Sequence, residues 1–259
     1  MKTGLMLSMV VLAGAGAFGL GLLGALAAQA ADSTEKPAAP AAKAEPAKDK
    51  PAAATTAAPD KMVELDIKLP KPMFEGTPKN IKPAPTLEKY VDKPRPAFMV
   101  PEGTRNLAIN KPVKSSDMEP IIGELKLVTD GDNEGTDGSY VELGPGLQWV
   151  QIDLKEKAAI HALVVWHYHG EGRVYHDVVV QVSDDPDFIE GVKTIYNNDF
   201  DNSSGLGIGK DLEYIEDFRG RVIDAKGVTG RYVRLCSKGN TSNDQNHYIE
   251  VQVCGKPAK

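Results

Sequence analysis

Across the C-terminal half of the chain, from Asn106 onward, no segment offers a long apolar stripe of 3.6-residue period. Short apolar or alternating runs follow one another instead: Tyr140 to Leu143, Trp149 to Leu154, Ile160 to Tyr168, Val174 to Val182, Lys193 to Tyr196, Arg231 to Leu235 and Tyr248 to Val253. Alternation with period two sends one side chain inward and the next outward, as a half-buried strand requires. The Gly, Asp and Asn clusters between the runs supply turn chemistry. The best helical candidate, around Asp211 to Phe218, is short. A succession of strands without helices must bury its apolar faces sheet on sheet, which predicts an all-β sandwich or jelly roll over residues 106–255.

The first half of the 259-residue chain is of different character. Lys2 precedes an apolar Gly/Ala/Leu run from Leu5 to Ala28, which closes on Ala28-Gln29-Ala30; residues 1–30 are expected to be a secretory signal, with an uncleaved anchor as the alternative. Either reading puts the rest outside the cytoplasm, in a secreted, periplasmic or cell-envelope location. Residues 31–61 are almost entirely Ala, Pro, Lys, Glu, Asp and Thr, with too little to bury against the entropy of ordering, and are expected to form a disordered linker. In residues 62–105 apolar side chains return among frequent prolines, and Val63, Leu65, Ile67 and Leu69 alternate. One short strand in an extended arm laid on the domain fits that pattern, and a second loose linker fits it as well.

The formal net charge is -6 and no dense Lys/Arg block interleaves with aromatics, so nucleic acid is not an expected partner. Export permits a disulfide, and Cys236 and Cys254 are the candidates. If the strands they end were hairpin neighbours, the two would sit several residues out of register, beyond the short separation a bridge requires. Two buried free thiols are the alternative.

Six segments, in order, resemble the discoidin or coagulation-factor type C domain, also called galactose-binding-like, and bacterial carbohydrate-binding modules related to it. They are Asn106 to Val113 with Ser115-Ser116; Leu127-Val128-Thr129-Asp130-Gly131-Asp132; Gln148 to Leu154, with its Trp-x-x-x-Asp-Leu pattern; Val178 to Asp185, which ends in Ser-Asp-Asp; Gly230 to Leu235; and Tyr248 to Val253. The resemblance implies an eight-stranded antiparallel jelly-roll β-sandwich whose end loops bind a ligand, usually a sugar and in some members a phospholipid head group or a protein. Ligand class is carried by analogy, since fold alone does not establish function.

Three groups of residues carry candidate chemistry. Residues 127–139 gather Asp130, Asp132, Glu134, Asp137 and Ser139 among glycines, hard oxygen ligands of the kind Ca²⁺ takes; an ordinary acidic turn has the same composition. By resemblance, a structural Ca²⁺ would be held by Asp130, the carbonyls of Leu127 and Asp132, Ser139 or Thr136, Glu250 and the Ile249 carbonyl. His167 and His169 lie two apart, on one face of a strand; were Gly170 to Arg173 a hairpin turn, His176 would fall opposite, and the three imidazoles could form a transition-metal site or line the sandwich rim as hydrogen-bonded polar groups. The same stretch suits a sugar, with His169, Arg173, Tyr175 and His176 as candidate contacts, joined by Asn240, Asn243 and Asn246 from the polar run before the last strand. Asn side chains that cap their own turn explain that run equally well. No His…Arg-x-Asp…Arg arrangement of fucose-binding relatives is present.

No Gly-x-Ser-x-Gly, His-Glu-x-x-His or P-loop motif occurs, so no catalytic residue is assigned. The leading reading is an exported, non-catalytic module that binds a carbohydrate or surface glycan and is stiffened by Ca²⁺. A structural protein that docks onto an envelope protein through its Pro-rich arm is the second reading, and a His-ligated transition-metal protein the third. Membrane contact enters only through an uncleaved N-terminal segment.

Overall fold

A computed structural model describes residues 60–258, so the expected signal segment and nearly all of the linker lie outside the described residues. Eleven strands and one short 3-10 turn occur in it: β1 (Met62–Glu64), β2 (Met99–Pro101), β3 (Arg105–Asn106), β4 (Val113–Ser115), the turn (Leu125–Thr129), β5 (Val141–Leu143), β6 (Gln148–Trp166), β7 (Val179–Ser183), β8 (Lys193–Asn197), β9 (Arg221–Ser237), β10 (Asn246–Tyr248) and β11 (Glu250–Pro257). Every ladder between them is antiparallel. The main sheet runs β3-β11-β6-β9-β7-β8, with β4 on β6, while β10 pairs β5 and β1 pairs β2. The seven runs expected as strands reappear as β5, β6, β7, β8, β9 and β11, because those at 149–154 and 160–168 fuse into one long strand, β6; β4 and β10 were not among them.

Fusion and bending share a cause. The β6–β9 ladder shifts register between Asp153 and Ala158 and again between Ile160 and Ala162. At the bends an Asp carboxylate accepts the backbone N–H two residues on, Asp153 from Lys155 at 2.8 Å and Asp224 from Lys226 at 2.9 Å. Both lysines adopt positive φ, 73° and 53°, the local cost of turning a continuous strand. Inward side chains from both halves of β6 (Val150, Ile152, Ile160, Leu163, Val165) then meet those of β5, β7, β9 and β11 in one buried core. Asp211 to Phe218, the one helical candidate, is not helical, and its Glu213 instead bridges to Leu87 of the arm.

The far end of β6 is buried on both faces. Leu163 and Val165 face the main core, while Ala162, Val164 and Trp166 point the other way into a second cluster with Val100, Ile249 and Cys254. Val63, Leu65, Ile67 and Phe98 of the arm pack against this second cluster. The strand within the arm is shorter than the alternation suggested, Met62–Glu64, and Leu65 continues the pairing by donating its N–H to the Phe98 carbonyl at 2.8 Å. Arginines pin the arm further along: Arg95 donates to the carbonyls of Arg219 and Gly220, and Arg219 donates to those of Val91 and Lys93.

Cys236 and Cys254 are both free and buried. The hairpin assumed for their strands does not form, because β9 and β11 flank β6 on opposite sides. Burial pushes each thiol up to about 12. Since the thiolate is the nucleophile, iodoacetamide at pH 8 is expected to label neither cysteine in the folded protein and both after denaturation, as read by mass spectrometry. Fast labelling of the native protein would show that the thiols are not sealed.

Candidate functional site

Two loops, residues 167–178 and 238–247, meet at one end of the domain. Tyr175 bridges Asn240, Val174 N–H donates to Thr241 Oγ1 at 3.1 Å, and His176 N–H donates to the Gly239 carbonyl at 3.1 Å. The expected hairpin through Gly170 to Arg173 is absent: β6 ends at Trp166, β7 starts at Val179, and the two do not pair. Trp166 pairs with Glu250 of β11 instead, leaving 167–178 as irregular chain.

Loss of that hairpin disperses the histidines. His167 is fully buried, with Nδ1 2.6 Å from Glu216 Oε1 and its ring stacked 4.4 Å from Tyr175. His169 is also buried, and its Nε2 lies 2.9 Å from the Asn133 carbonyl. His176 is half-buried and pairs through Nδ1 with Glu213 Oε1 at 3.0 Å, which raises its pKa. Each ring thus serves a different partner, and the transition-metal site expected at His167, His169 and His176 does not assemble. Among the described residues the group whose ligand atoms do converge, within 4.8 Å, is Asp177, Asp199 and Asp201, which could hold a metal ion. It draws on separate segments, so no local spacing announces it. Asp199 in that group already accepts the N–H groups of Ser203 and Ser204 at 3.0 and 2.9 Å.

The candidate sugar contacts divide by exposure. Asn246 is buried, accepting from Ser237 Oγ at 2.8 Å and Gly239 N–H at 2.9 Å and donating to the carbonyls of Gly144 and Gly146. Asn240 holds its own loop, donating to Asn243 Oδ1 at 2.7 Å and the Gln245 carbonyl at 2.9 Å, so the turn-capping function is the one its amide performs. Tyr175 is buried with its hydroxyl 2.9 Å from His247 Nδ1. Burial, reinforced by Arg173 and His167, depresses the His247 pKa to about 4. What reaches the surface is a half-buried aromatic pair, backed by the buried guanidinium of Arg173. Tyr140 and Tyr168 meet edge to face at 5.2 Å, and Arg173 lies 4.6 Å over the Tyr168 ring while paired to Glu171. Arg173 Nη1 has no partner. Tyr140 and Tyr168 were not among the candidate contacts; Tyr140 packs one face on the second cluster, and their signal in sequence was two aromatics flanking strand runs.

Beside these loops lies the acidic loop. Glu250 is fully buried, and its Oε2 accepts Gly131 N–H at 3.2 Å while Oε1 has no partner. Burial, with Asp130 and Asp132 nearby, raises its pKa to about 8 against the pull of that N–H. Asp130 Oδ1 accepts Asp132 N–H at 2.9 Å, Asp132 Oδ1 accepts Glu134 N–H at 2.9 Å, and Asp132 Oδ2 accepts Ser139 Oγ–H at 2.9 Å. Thr136 Oγ1 is 3.2 Å from Ser139 Oγ. The arm joins this loop as well: Asn133 Nδ2 donates to the Lys68 carbonyl at 2.9 Å.

No protein-family model and no curated protein matches the chain. Among solved structures it is similar to a family 89 glycoside hydrolase from Clostridium perfringens, in complex with its substrate GlcNAc-alpha-1,4-galactose, at 18% identity and a TM-score of 0.44; the match covers 59% of this chain and 15% of that one. A chitosan-binding module 1 derived from a chitosanase/glucanase of Paenibacillus sp. IK-5 is similar at 20% identity and a TM-score of 0.40, covering 57% of this chain and 98% of that one. A fucolectin from striped bass (Morone saxatilis) serum is similar at 16% identity and a TM-score of 0.42, covering 60% and 50%. The chain thus spans a small fraction of the hydrolase's length.

Proposed function

We propose that the protein is an exported, non-catalytic module that binds a carbohydrate or surface glycan through the meeting point of loops 167–178 and 238–247. The observation that carries the reading is the Tyr140–Tyr168–Arg173 cluster at the domain's end, where half-buried aromatic carbon stands over a buried guanidinium with one unpartnered nitrogen. Pyranose rings present C–H faces to aromatic carbon and hydroxyls to directional donors, so this combination serves recognition without any nucleophile or acid pair. Tyr168→Ala is expected to lower retention on a glycan array about tenfold, the range one stacking contact contributes, with Tyr168→Phe near the natural level. Equal retention by all three proteins would remove the cluster from the site.

A bound Ca²⁺ belongs to the same proposal. Glu250 Oε1, buried and unpartnered beside two aspartates, is the feature a hard cation satisfies. Asp130, Glu250 and Ser139 or Thr136 would supply side-chain oxygens, and Leu127, Asp132 and Ile249 carbonyls. When bound, the ion supplies charge compensation and ties β11 to the acidic loop. Those residues hold the adjoining ligand loops: Gly135 of the acidic loop packs on the His169 ring, where an added methyl would lie 2.9 Å from it. Among the described residues no helix is long and apolar enough to cross a membrane.

A further inference from the structure

The arm does not fill the space where it crosses the sheet. Residues 88–98 and 214–222 enclose a cleft of about 690 Å³, within the size range of small-molecule sites. In a chain of net charge -6, this cleft is lined by five cationic side chains against three carboxylates. Arg219 and Arg221 are paired with Asp217 and Glu88, but Arg95 has no carboxylate partner and reaches only the carbonyls of Arg219 and Gly220. Lys89 and Lys93 on the exposed rim have no carboxylate partner among the described residues either, so the cleft presents unpaired positive charge to a ligand, with Arg95 the half-buried member.

Three buried polar atoms of cleft-lining residues also lack partners: the Tyr214 hydroxyl, Glu216 Oε2 and Arg221 Nε. Tyr214 is 8% exposed and Glu216 1%, and His167 fixes Glu216 by binding its other oxygen at 2.6 Å. Unsatisfied buried groups of this kind are costly and call for an explanation. Their requirements are specific. Arg95 takes a carboxylate, Glu216 Oε2 takes a hydroxyl donor, Tyr214 takes either, and Tyr90 and Phe98 offer carbon surface.

We propose that this cleft is a second binding site, for a hydroxylated carboxylate of the acidic-monosaccharide class. It shares no side chain with the loop cluster and stands whether or not that cluster binds a glycan. Titration calorimetry of the full chain with D-glucuronate, D-glucose and acetate tests it. Glucuronate is expected to bind roughly tenfold more tightly than either partial mimic, because only it meets both the guanidinium and the hydroxyl partners. Tyr214→Phe keeps the buried ring and removes only the hydroxyl, so it should shift the melting temperature little while weakening glucuronate about fivefold; Arg95→Lys should weaken it roughly tenfold. No glucuronate binding at millimolar concentration, equal binding of glucose or acetate, or unchanged affinity in Tyr214→Phe would overturn the proposal. A loss in Tyr168→Ala as large as in Tyr214→Phe would place the sugar in the loops and overturn it too.

Discussion

Calcium is expected to raise the melting temperature of the natural chain, and Glu250→Gln to abolish that rise and to flatten the pH dependence in chelator. A Glu carboxyl ordinarily ionises at 4.5, whereas this one, without metal, is held up at about 8 by burial and by Asp130 and Asp132. Between those values the folded protein keeps a proton that the unfolded chain has released, so its stability is full below 4.5 and falls as pH rises to 8. A shift of this size corresponds to roughly 5 kcal/mol. His247, depressed from 6.5 to about 4, acts in the opposite sense: its folded ring stays neutral, so stability falls as pH drops below 6.5 and is unaffected above it. The window from 6.5 to 8 therefore excludes His247, and comparison with Glu250→Gln separates Glu250 from His176, whose pKa, raised by Glu213, makes it act in the same sense there. In EDTA the natural chain should lose stability across it; saturating calcium, at about 100-fold over Kd, should add roughly 2.7 kcal/mol and remove the slope. Thermal melts of both proteins check this, and a calcium response that survives in Glu250→Gln would take that carboxylate out of the cation site.

The second large effect is expected at Trp166. Its side chain is fully buried between β6 and the arm, and its indole N–H donates to the Phe218 carbonyl at 3.0 Å. Gly220, at φ 63°, lies against the ring so closely that an added methyl would sit 2.6 Å from it. Trp166→Ala removes the largest side chain of the second cluster, a change that costs about 3–5 kcal/mol in a packed core. It should also loosen the arm, whose Val63, Leu65, Ile67 and Phe98 pack against that cluster. Denaturant unfolding followed through Trp149, the other tryptophan, measures the first effect, and protease cleavage within residues 60–101 reports the second. Trp166→Phe keeps most of the packing and loses mainly the hydrogen bond, about 1 kcal/mol. If Ala proves no worse than Phe, the second cluster is not what holds the arm.

Period-two alternation made β5, β7, β8 and β11 legible, because each buries one face against a common core. The continuous run Ala162 to Trp166 carried more information than alternation alone would: an uninterrupted apolar strand is buried on both faces, and here the second face is covered by the arm. Two features were not legible. Fusion of 148–166 into one bent strand depends on Asp153 and Asp224 capping the bends, which reads in sequence as an ordinary turn. The pairing of β6 with β9 and β11, rather than with its successor, is a long-range choice without local signature, and it separated the histidines and the cysteines from the positions that a simple hairpin order would assign. The candidate site is legible to the same degree. The loop segments come together, but Asn246, Tyr175 and His169 turn inward, and the exposed aromatic carbon is supplied by Tyr140 and Tyr168. The arm cleft has no motif at all, since its walls come from segments more than a hundred residues apart.

The proposal of non-catalytic glycan binding is tested most directly by screening the full chain on a glycan array in calcium and recovering the retained glycans for mass analysis. Retention of a defined set of glycans, recovered at their original mass, is the predicted result. Retention of none, or recovery of shortened glycans, would contradict it.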